Sequence, residues 1–314
     1  MDSQRQDPQK IVCLLGLTGT GKSSLAVSVA GYIGGEIINF DSRQVYKRFP
    51  VITAQPGPKE LETCRHWLYG FLETDERLDA ASFTELARNR ADRIRNQGHI
   101  PMLVGGTGLY LRSFLKGLAP IPKIPPEVQE GVRTHCRLYG PERLHQDLLK
   151  VDPEAAGRIH PRDRQRVTRA LEVYQVTGRP ISWWQEQPSD EIPYQVLPIG
   201  LWVDLEDLAR RLKGRIESMI EAGAVEEARA AWERCPDEKA PGWSAIGCAE
   251  VLQFLLGRWT LDQALDEWFK KTRAYAKRQL TWFKKEKDVV WLSPADRDRA
   301  LEIVQRFLET SSRG

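Results

Sequence analysis

The chain has 314 residues, of which 41% are hydrophobic, so it is long enough to bury a sizeable core in one large or two small domains. Its net charge is only +3, which excludes a uniformly basic surface, so a polyanionic partner would have to be bound by local clusters of cations. The five cysteines include no Cys-x-x-Cys pair, which argues against a zinc site or a disulfide framework. The sequence contains no apolar run of about 18 residues, and its first ten residues are polar, so we expect a cytoplasmic protein that does not enter a membrane.

The first part of the chain alternates between predicted strands and helices. Apolar runs at residues 11–15, 36–40 and 100–104 predict buried strands, and residues 23–31 predict a helix between the first two. This alternation is typical of a parallel sheet with helices on both faces. A fourth strand is predicted at residues 194–203, and the chain after residue 204 is expected to be helical to its end.

The pattern changes in the middle of the chain. Residues 120–126 contain the sequence IPKIPP, which is typical of a linker, and the residues that follow, to about 187, have a helical pattern and many arginines. We therefore expect two domains. The core would be formed by residues 1–119 and 191–314, and residues 120–190 would be a helical inserted domain that binds RNA.

A glycine-rich loop follows the first predicted strand. Its sequence, GLTGTGKS, fits the P-loop pattern G-x-x-x-x-G-K-[ST] and lies between a strand and a helix, as that pattern requires. The glycines let successive backbone N–H groups face one anion, and the helix N-terminus and the lysine add positive charge. The predicted fold class is therefore α/β, with a P-loop NTPase-like parallel-sheet core and a helical inserted domain. The predicted diphosphate ligands are Gly16, Leu17, Thr18, Gly19, Thr20, Gly21, Lys22 and Ser23, and the Ser23 hydroxyl is also the predicted Mg²⁺ ligand.

Asp41 comes directly after the second predicted strand. Ligands of open parallel sheets bind beyond the carboxyl ends of the strands, and we expect this strand to neighbour the first, so Asp41 should face the bound phosphates. A carboxylate there can accept a proton from an attacking hydroxyl or amine, hold the water shell of magnesium, or cap the next turn through Ser42. These residues fit a small-molecule kinase and equally a transferase whose leaving group is a diphosphate.

Six further stretches of the sequence carry more specific information. They are DSRQVY at 41–46, TAQP at 53–56, LVGGTGLYL at 103–111, IHPRDRQRVTRALEVYQVTGRPIS at 159–182, RLKGRIESMIEAG at 211–223 and TRAYAKRQLTWF at 272–283. Together and in this order they resemble the tRNA dimethylallyltransferases. The resemblance implies that the loop holds dimethylallyl diphosphate, and that N6 of adenine 37, beside the tRNA anticodon, attacks the allylic carbon while diphosphate leaves. Because the chain ends without the Cys and His pairs of a zinc finger, it is similar to the bacterial type.

The resemblance also implies roles for individual residues. Asp41 would be the general base that takes the amine proton, and Thr18 and Lys22 would stabilise the leaving diphosphate. Thr107 would line the channel in which the adenine and the dimethylallyl group meet. The positions expected against the anticodon stem-loop of tRNA are Asp41, Ser42, Arg43, Gln44, Thr107, Gln165, Arg166, Val167, Thr168 and Arg169.

The comparison with the family leaves some positions open. In the family an arginine from a later helix also reaches the diphosphate, and both Arg211 and Arg215 stand at candidate positions. The sequence departs from the family pattern at Gln55, where lysine is usual, and at residues 65–67, which read Arg-His-Trp in place of Pro-His-His. It departs again at Cys248, where tyrosine is usual.

Two predicted helices carry stripes of basic residues. In the helix expected at residues 161–177, Arg162, Arg166 and Arg169 share one face. In the helix expected at residues 267–287 the basic stripe comprises Lys270, Arg273, Lys277, Lys284 and Lys287, opposite Trp268, Tyr275, Gln279 and Trp282. Few acidic residues lie within residues 158–169 and 270–287 to balance the charge, which favours RNA phosphate as the partner.

Three other functions are compatible with parts of this pattern. They are an adenylate isopentenyltransferase acting on free AMP, a P-loop kinase of a small metabolite with the insert as a lid, and a non-catalytic RNA-binding protein. A free nucleotide requires no extended basic surface, and a non-catalytic protein requires no carboxylate beside a complete phosphate loop. We therefore favour transfer to tRNA, by a protein that acts as a monomer.

Overall fold

The computed structural model describes residues 9–187, 194–286 and 288–310. In this part of the chain the apolar runs form one six-stranded parallel sheet with the order β3-β2-β4-β1-β5-β6. The strands are β1 (Gln9–Gly16), β2 (Gly35–Asn39), β3 (His66–Trp67), β4 (Ile100–Gly105), β5 (Tyr194–Leu201) and β6 (Val290–Leu292). The four predicted strands and the α/β class are thus confirmed.

The strand order corrects one expectation about the site. The second strand does not neighbour the first, because β4 pairs with both β1 and β2 and lies between them. After β1 the chain forms α1 (Lys22–Ile33) and then enters β2, which leaves a gap of one strand between β1 and β2. β4 fills this gap. Leu15 is in register with Gly105, and Asn39 with Val104, so the carboxyl ends of the three strands still meet at one edge of the sheet.

Helices cover both faces of the sheet. Successive residues of β1 face opposite sides, as strand geometry requires. Ile11, Cys13 and Leu15 pack into one apolar cluster with α3 (Ala80–Asn96), α4 (Gly108–Lys116) and the end of α13 (Leu261–Phe283). Val12 and Leu14 pack into another cluster with α1 and α14 (Arg297–Glu309). The core helices after α1 are α2 (Pro58–Thr63), α3 (Ala80–Asn96), α4 (Gly108–Lys116), α10 (Leu205–Glu221), α11 (Ala224–Arg234), α12 (Cys248–Leu255), α13 (Leu261–Phe283) and α14 (Arg297–Glu309).

The contacts divide the chain into two units, Met1–Leu115 with Pro193–Gly314, and Lys116–Ile192. The second unit is helical and has its own apolar clusters, one of which contains Val132, Cys136, Leu144 and Val167. Its helices are α5 (Pro126–Tyr139), α6 (Pro141–Val151), α7 (Pro153–Arg158), α8 (Arg164–Thr177) and α9 (Ile181–Glu186). The boundary expected between residues 190 and 191 lies outside the described residues.

Two expectations about elements were wrong. The chain after residue 204 is not helical throughout, because β6 returns to the edge of the sheet beside β5. The helix expected from residue 161 begins only at Arg164, since the Asp163 side chain accepts the Arg166 N–H and caps it. None of the helices in the described ranges has both the length and the apolar character needed to cross a bilayer.

Candidate active site

The P-loop has the backbone conformation that its glycines predict. Gly19 and Gly21 have φ angles of +82° and +87°, in the left-handed region that favours glycine. A Cβ at Gly19 would also approach Leu212 of α10 to 2.7 Å. The side chains of Leu17 and Thr20 are buried, and the Thr20 hydroxyl donates to the Leu17 carbonyl oxygen at 2.9 Å, so neither side chain is presented to an anion. Because α1 begins directly after Gly21, the positive end of its dipole faces the loop.

Lys22 lies at the loop in a poorly solvated position. Its Nζ donates a hydrogen bond to the Leu17 carbonyl oxygen at 2.6 Å. Burial lowers the pKa of Lys22 to about 7, while the Asp41 charge opposes this shift and the Arg215 charge adds to it. The free protein therefore holds this lysine near its titration midpoint at neutral pH, and a bound anion would favour the charged form.

Helix α10 decides between the two candidate arginines. Its residues Leu208 and Leu212 pack into one apolar cluster with Leu17 of the loop. Arg215 follows one turn later on that side of α10 and is half-buried, and burial lowers its pKa while the Asp41 charge raises it. Arg211 is exposed to solvent, so the structure brings Arg215 and not Arg211 to the charged cluster with Lys22 and Asp41. A diphosphate contact by Arg211 stays a prediction.

Asp41 is half-buried at the carboxyl end of β2. Its Oδ1 accepts the Arg43 N–H at 2.9 Å, and its own N–H donates to Asn39 Oδ1 at 2.7 Å. Asp41 therefore does cap the next turn, although through Arg43 and not through Ser42. A carboxylate has about four lone-pair sites, so capping leaves capacity to accept a proton.

Thr107 connects Asp41's loop to the end of β4. Its Oγ1 accepts the Ser42 N–H at 3.0 Å, and its hydroxyl donates to Ser42 Oγ at 3.4 Å. The same hydroxyl is near enough to Tyr275 of α13 to lower the pKa of that phenol against the effect of burial. Burial raises the pKa of Tyr275 to about 12, so this phenol stays protonated at neutral pH. Thr107 thus stands beside the Asp41 turn, and its place in a channel for the adenine and the dimethylallyl group stays a prediction.

Sequence reasoning missed the roles of two residues on α13. Tyr275 and Gln279 were assigned only to the inward face of this helix, but Gln279 is 5% exposed and hydrogen-bonds to Thr18 and Gly106. A signal for them was present, because a buried amide is costly unless it is bonded. A single Gln on an otherwise aromatic face therefore predicts specific partners.

The other residues expected against tRNA at this edge make local contacts. Arg43 is exposed, and its Nη1 donates to Ser244 Oγ at 2.6 Å. The Gln44 amide nitrogen donates to the carbonyl oxygens of Thr53 and Ala54 at 3.0 and 2.6 Å, so it stabilises the TAQP loop.

At three positions where the sequence departs from the family pattern, the side chain is buried or hydrogen-bonded within the protein. The Gln55 amide donates to the Tyr46 carbonyl oxygen at 2.8 Å. The Trp67 indole N–H donates to Glu36 Oε2 at 2.6 Å, and Cys248 is fully buried.

In the inserted unit, α8 presents only part of the expected RNA-contacting set. Gln165, Arg166 and Arg169 are exposed. Val167 is 0% exposed within the unit's core, and the buried Thr168 hydroxyl donates to the Arg164 carbonyl oxygen. The expectation for Val167 and Thr168 is corrected, because neither side chain can face an RNA.

The expectation of unbalanced positive charge on the insert was also wrong. Arg162 lies before the helix, and its Nε is 3.1 Å from a Glu142 oxygen of α6. Asp163 and Glu172 lie 3.5 and 3.7 Å from Arg166 and Arg169, respectively. The pairs of Arg162 and Arg166 are exposed and contribute about 0–1 kcal/mol, so phosphate oxygens could replace their carboxylates. Glu172 is buried, so its pair with Arg169 is not of this exposed kind.

Helix α13 carries the second basic stripe on its outer face. Lys270, Arg273 and Lys277 are exposed, whereas Trp268 is buried, as the predicted helix faces require. Lys270 pairs with Glu267 at 2.9 Å. The helix ends at Phe283, so Lys284 lies beyond it, and Lys287 falls outside the described residues.

These features define an α/β protein of the P-loop class with a charged cluster at the carboxyl edge of its sheet. The model of the IPP transferase family matches residues 44–286. The chain belongs to the IPP transferase family. It is 53% identical to the tRNA dimethylallyltransferase of Maridesulfovibrio salexigens, in an alignment that covers 95% of this chain and 97% of that protein.

Solved structures agree with this assignment. The tRNA isopentenylpyrophosphate transferase of Bacillus halodurans has a TM-score of 0.70 and 32% identity, covering 96% of this chain and 95% of its own. A eukaryotic dimethylallyltransferase acting on tRNA has a TM-score of 0.82 and 29% identity, covering 97% of this chain and 81% of its own.

Proposed function

We propose that this protein transfers a dimethylallyl group from dimethylallyl diphosphate to N6 of adenine 37 in tRNA. The observation that carries the proposal is the charged cluster of Lys22, Arg215 and Asp41 at the P-loop, in which the Asp41 charge raises the pKa of both cations against the effect of their burial. Two cations suit a departing diphosphate, and one carboxylate suits a proton released by the attacking amine. The names of the relatives support the same reaction.

The transfer forms one bond and breaks another. The N6–carbon bond forms while the bond from the allylic carbon to the diphosphate oxygen breaks, and the diphosphate leaves with that electron pair. Asp41 accepts the N6 proton. Lys22, Arg215, the Thr18 hydroxyl and the P-loop N–H groups stabilise the charge that develops on the diphosphate, and Thr107 orients the acceptor side.

A magnesium ion fits the residues at the loop. The described residues contain no group of three His, Cys, Asp or Glu side chains that could bind a metal by themselves. The Ser23 hydroxyl is exposed in the first turn of α1, so it can serve as one protein ligand to an ion held mainly by phosphate oxygens and water. Such an ion would neutralise diphosphate charge.

RNA binding is proposed for two basic surfaces. One is Gln165, Arg166 and Arg169 on α8 of the inserted unit, and the other is Lys270, Arg273 and Lys277 on α13. We propose that the protein acts as a monomer in the cytoplasm, where tRNA would be its substrate.

The acceptor is tested with labelled dimethylallyl diphosphate. We expect label in an unmodified tRNA transcript and none in the same transcript with guanine at position 37, since guanine lacks the N6 amine. Transfer to free AMP in preference to tRNA would contradict the proposal in favour of an adenylate isopentenyltransferase. Turnover of ATP with a small hydroxyl compound would contradict it in favour of a kinase.

Replacing Arg215 by Met should lower kcat/KM by roughly 10- to 150-fold, which corresponds to the loss of a charge-assisted hydrogen bond worth about 1.5–3 kcal/mol. Arg211→Met is the matched control, since it removes an exposed arginine from the same helix. Steady-state kinetics on both variants decide the assignment. A larger loss of kcat/KM for Arg211→Met than for Arg215→Met would assign the diphosphate contact to Arg211.

Replacing Arg166 and Arg169 together by Gln should weaken tRNA binding. The slope of log K for tRNA binding against log salt concentration should become shallower by about one to two, which corresponds to the loss of about one to two phosphate contacts. Diphosphate affinity should stay unchanged. Arg133→Gln with Arg137→Gln, on α5 of the same unit, is the matched control for charge alone. A wild-type salt slope in the Arg166 and Arg169 variant would show that these arginines are only solvated.

A further inference from the structure

Gln279 of α13 bridges two loops at the carboxyl edge of the sheet. Its Oε1 accepts the backbone N–H of Thr18 in the P-loop at 3.0 Å. Its Nε2 donates to the backbone carbonyl oxygen of Gly106, in the turn after β4, at 2.9 Å. The side chain is 5% exposed, so one buried amide satisfies a donor and an acceptor that belong to different loops.

The turn after β4 is shaped around this amide. A Cβ at Gly106 would lie 2.1 Å from Gln279 Nε2, so any larger residue there would have to displace the amide. Tyr275, one turn earlier on α13, lies close enough to Gln279 and Thr107 for both side chains to lower its pKa against the effect of burial. The inner face of α13 thus connects the P-loop, which includes Thr18, to the turn that includes Thr107.

We propose that Gln279 is a positioning residue that fixes the spacing between the diphosphate loop and the acceptor-side turn. The inference rests on the proposed function, in which Thr18 stabilises the leaving diphosphate and Thr107 orients the adenine. A displacement of reacting groups by about 1 Å can cost on the order of 10²-fold in rate, so a rigid connection between the two loops has a direct kinetic effect. The Gln279 amide acts through Thr18 and Gly106.

Gln279→Met removes both hydrogen bonds at nearly constant volume. We expect kcat to fall by roughly 10²-fold while KM for each substrate changes by less than about threefold. Thr272→Val is the matched control, because Thr272 is a buried polar residue of the same helix whose hydroxyl donates only along that helix, to the Trp268 carbonyl oxygen. The control should retain kcat, and urea unfolding of each variant corrects the rates for the folded fraction.

Gln279→Glu gives a readout that a purely structural role would not change. A protonated carboxyl group can accept from Thr18 N–H and donate to the Gly106 carbonyl oxygen, whereas an ionised one can only accept. Burial raises the pKa of a carboxyl group. The kcat of this variant relative to wild type should therefore rise as the pH is lowered from about 8 to about 6, with no such rise for Gln279→Met.

Gly106→Ala perturbs the contact between Gln279 and the turn after β4 by changing that turn. The added methyl group would displace the Gln279 amide, so we expect a similar loss of kcat. Combined with Gln279→Ala, which makes room for the methyl group, the loss should be smaller than the product of the two single losses, because both changes break one connection.

Wild-type transfer to tRNA is measured first in the same assay. Its absence would contradict the proposed function. Wild-type transfer with an undiminished kcat in Gln279→Met, or a pH-independent ratio in Gln279→Glu, would overturn the inference about Gln279 and leave the proposed function intact.

Discussion

Asp41→Asn is expected to lower the single-turnover rate of dimethylallyl transfer by about 10²- to 10⁴-fold, the usual effect of losing a general base. Adenine N6 is a poor nucleophile because its lone pair is delocalised into the ring, so removal of its proton matters as the bond to carbon forms. An amide cannot take that proton. Its oxygen can still accept the Arg43 N–H, so the turn should persist and the affinities for tRNA and diphosphate should change much less.

Asp79→Asn is the matched control for this substitution. Asp79 likewise accepts a backbone N–H through its Oδ1, that of Ser82, but it does so at the start of α3. We expect a wild-type transfer rate for this control in rapid-quench assays. An Asp41→Asn variant that transfers at the wild-type rate would show that Asp41 is only a cap, and one that loses mainly tRNA affinity would show that it holds the adenine.

Lys22→Met should reduce transfer at saturating substrate by roughly 10²- to 10³-fold, as removal of one preorganised donor from developing charge typically does. Diphosphate affinity should also fall by about 1.5–3 kcal/mol, because a charge-assisted contact is lost. Calorimetric titration with a non-reactive diphosphate analogue measures the second effect. Unchanged affinity and rate would contradict the assignment of the loop.

The pKa of Lys22 adds a proton-linked signature to this variant. Because the pKa is about 7 in the free protein, Lys22 is mostly neutral at pH 8, and the diphosphate charge should return it to the ammonium form. Binding should therefore take up a proton above pH 7 and none well below it, and affinity should fall as the pH rises above 7. Titrations in buffers of different ionisation enthalpy count the proton, and an uptake that persists in Lys22→Met would exclude Lys22 as its acceptor.

The fold was predictable where the sequence signal is local. The P-loop, β1, β2 and β4 were predicted because strands buried on both faces are continuous apolar runs. β3 and β6 were not, because strands of two and three residues leave no such run. The strand order was not predictable, because it depends on β4 filling the gap between β1 and β2. β4 begins about 60 residues after β2 ends, so no local pattern indicates this pairing.

The site was predictable in its residue types and less so in its arrangement. Helical spacing alone could not favour Arg215 over Arg211. The preference depends on the packing of Leu208 and Leu212 of α10 against Leu17 of the P-loop, which determines which face of α10 is turned toward the loop. The balance of charge on α8 depends partly on Glu142, which belongs to another helix. Such contacts join distant parts of the chain, and no local pattern encodes them.

The central claim is that the diphosphate leaves and a carbon group is transferred. Its most direct test is to incubate the protein with dimethylallyl diphosphate, Mg²⁺ and an unmodified tRNA transcript, then to determine the mass and position of the modified nucleoside and the free diphosphate released. The account predicts one dimethylallyl group in place of an N6 proton at adenine 37, and one diphosphate released for each. A tRNA that gains phosphate, or diphosphate release without a modified adenine, would contradict it.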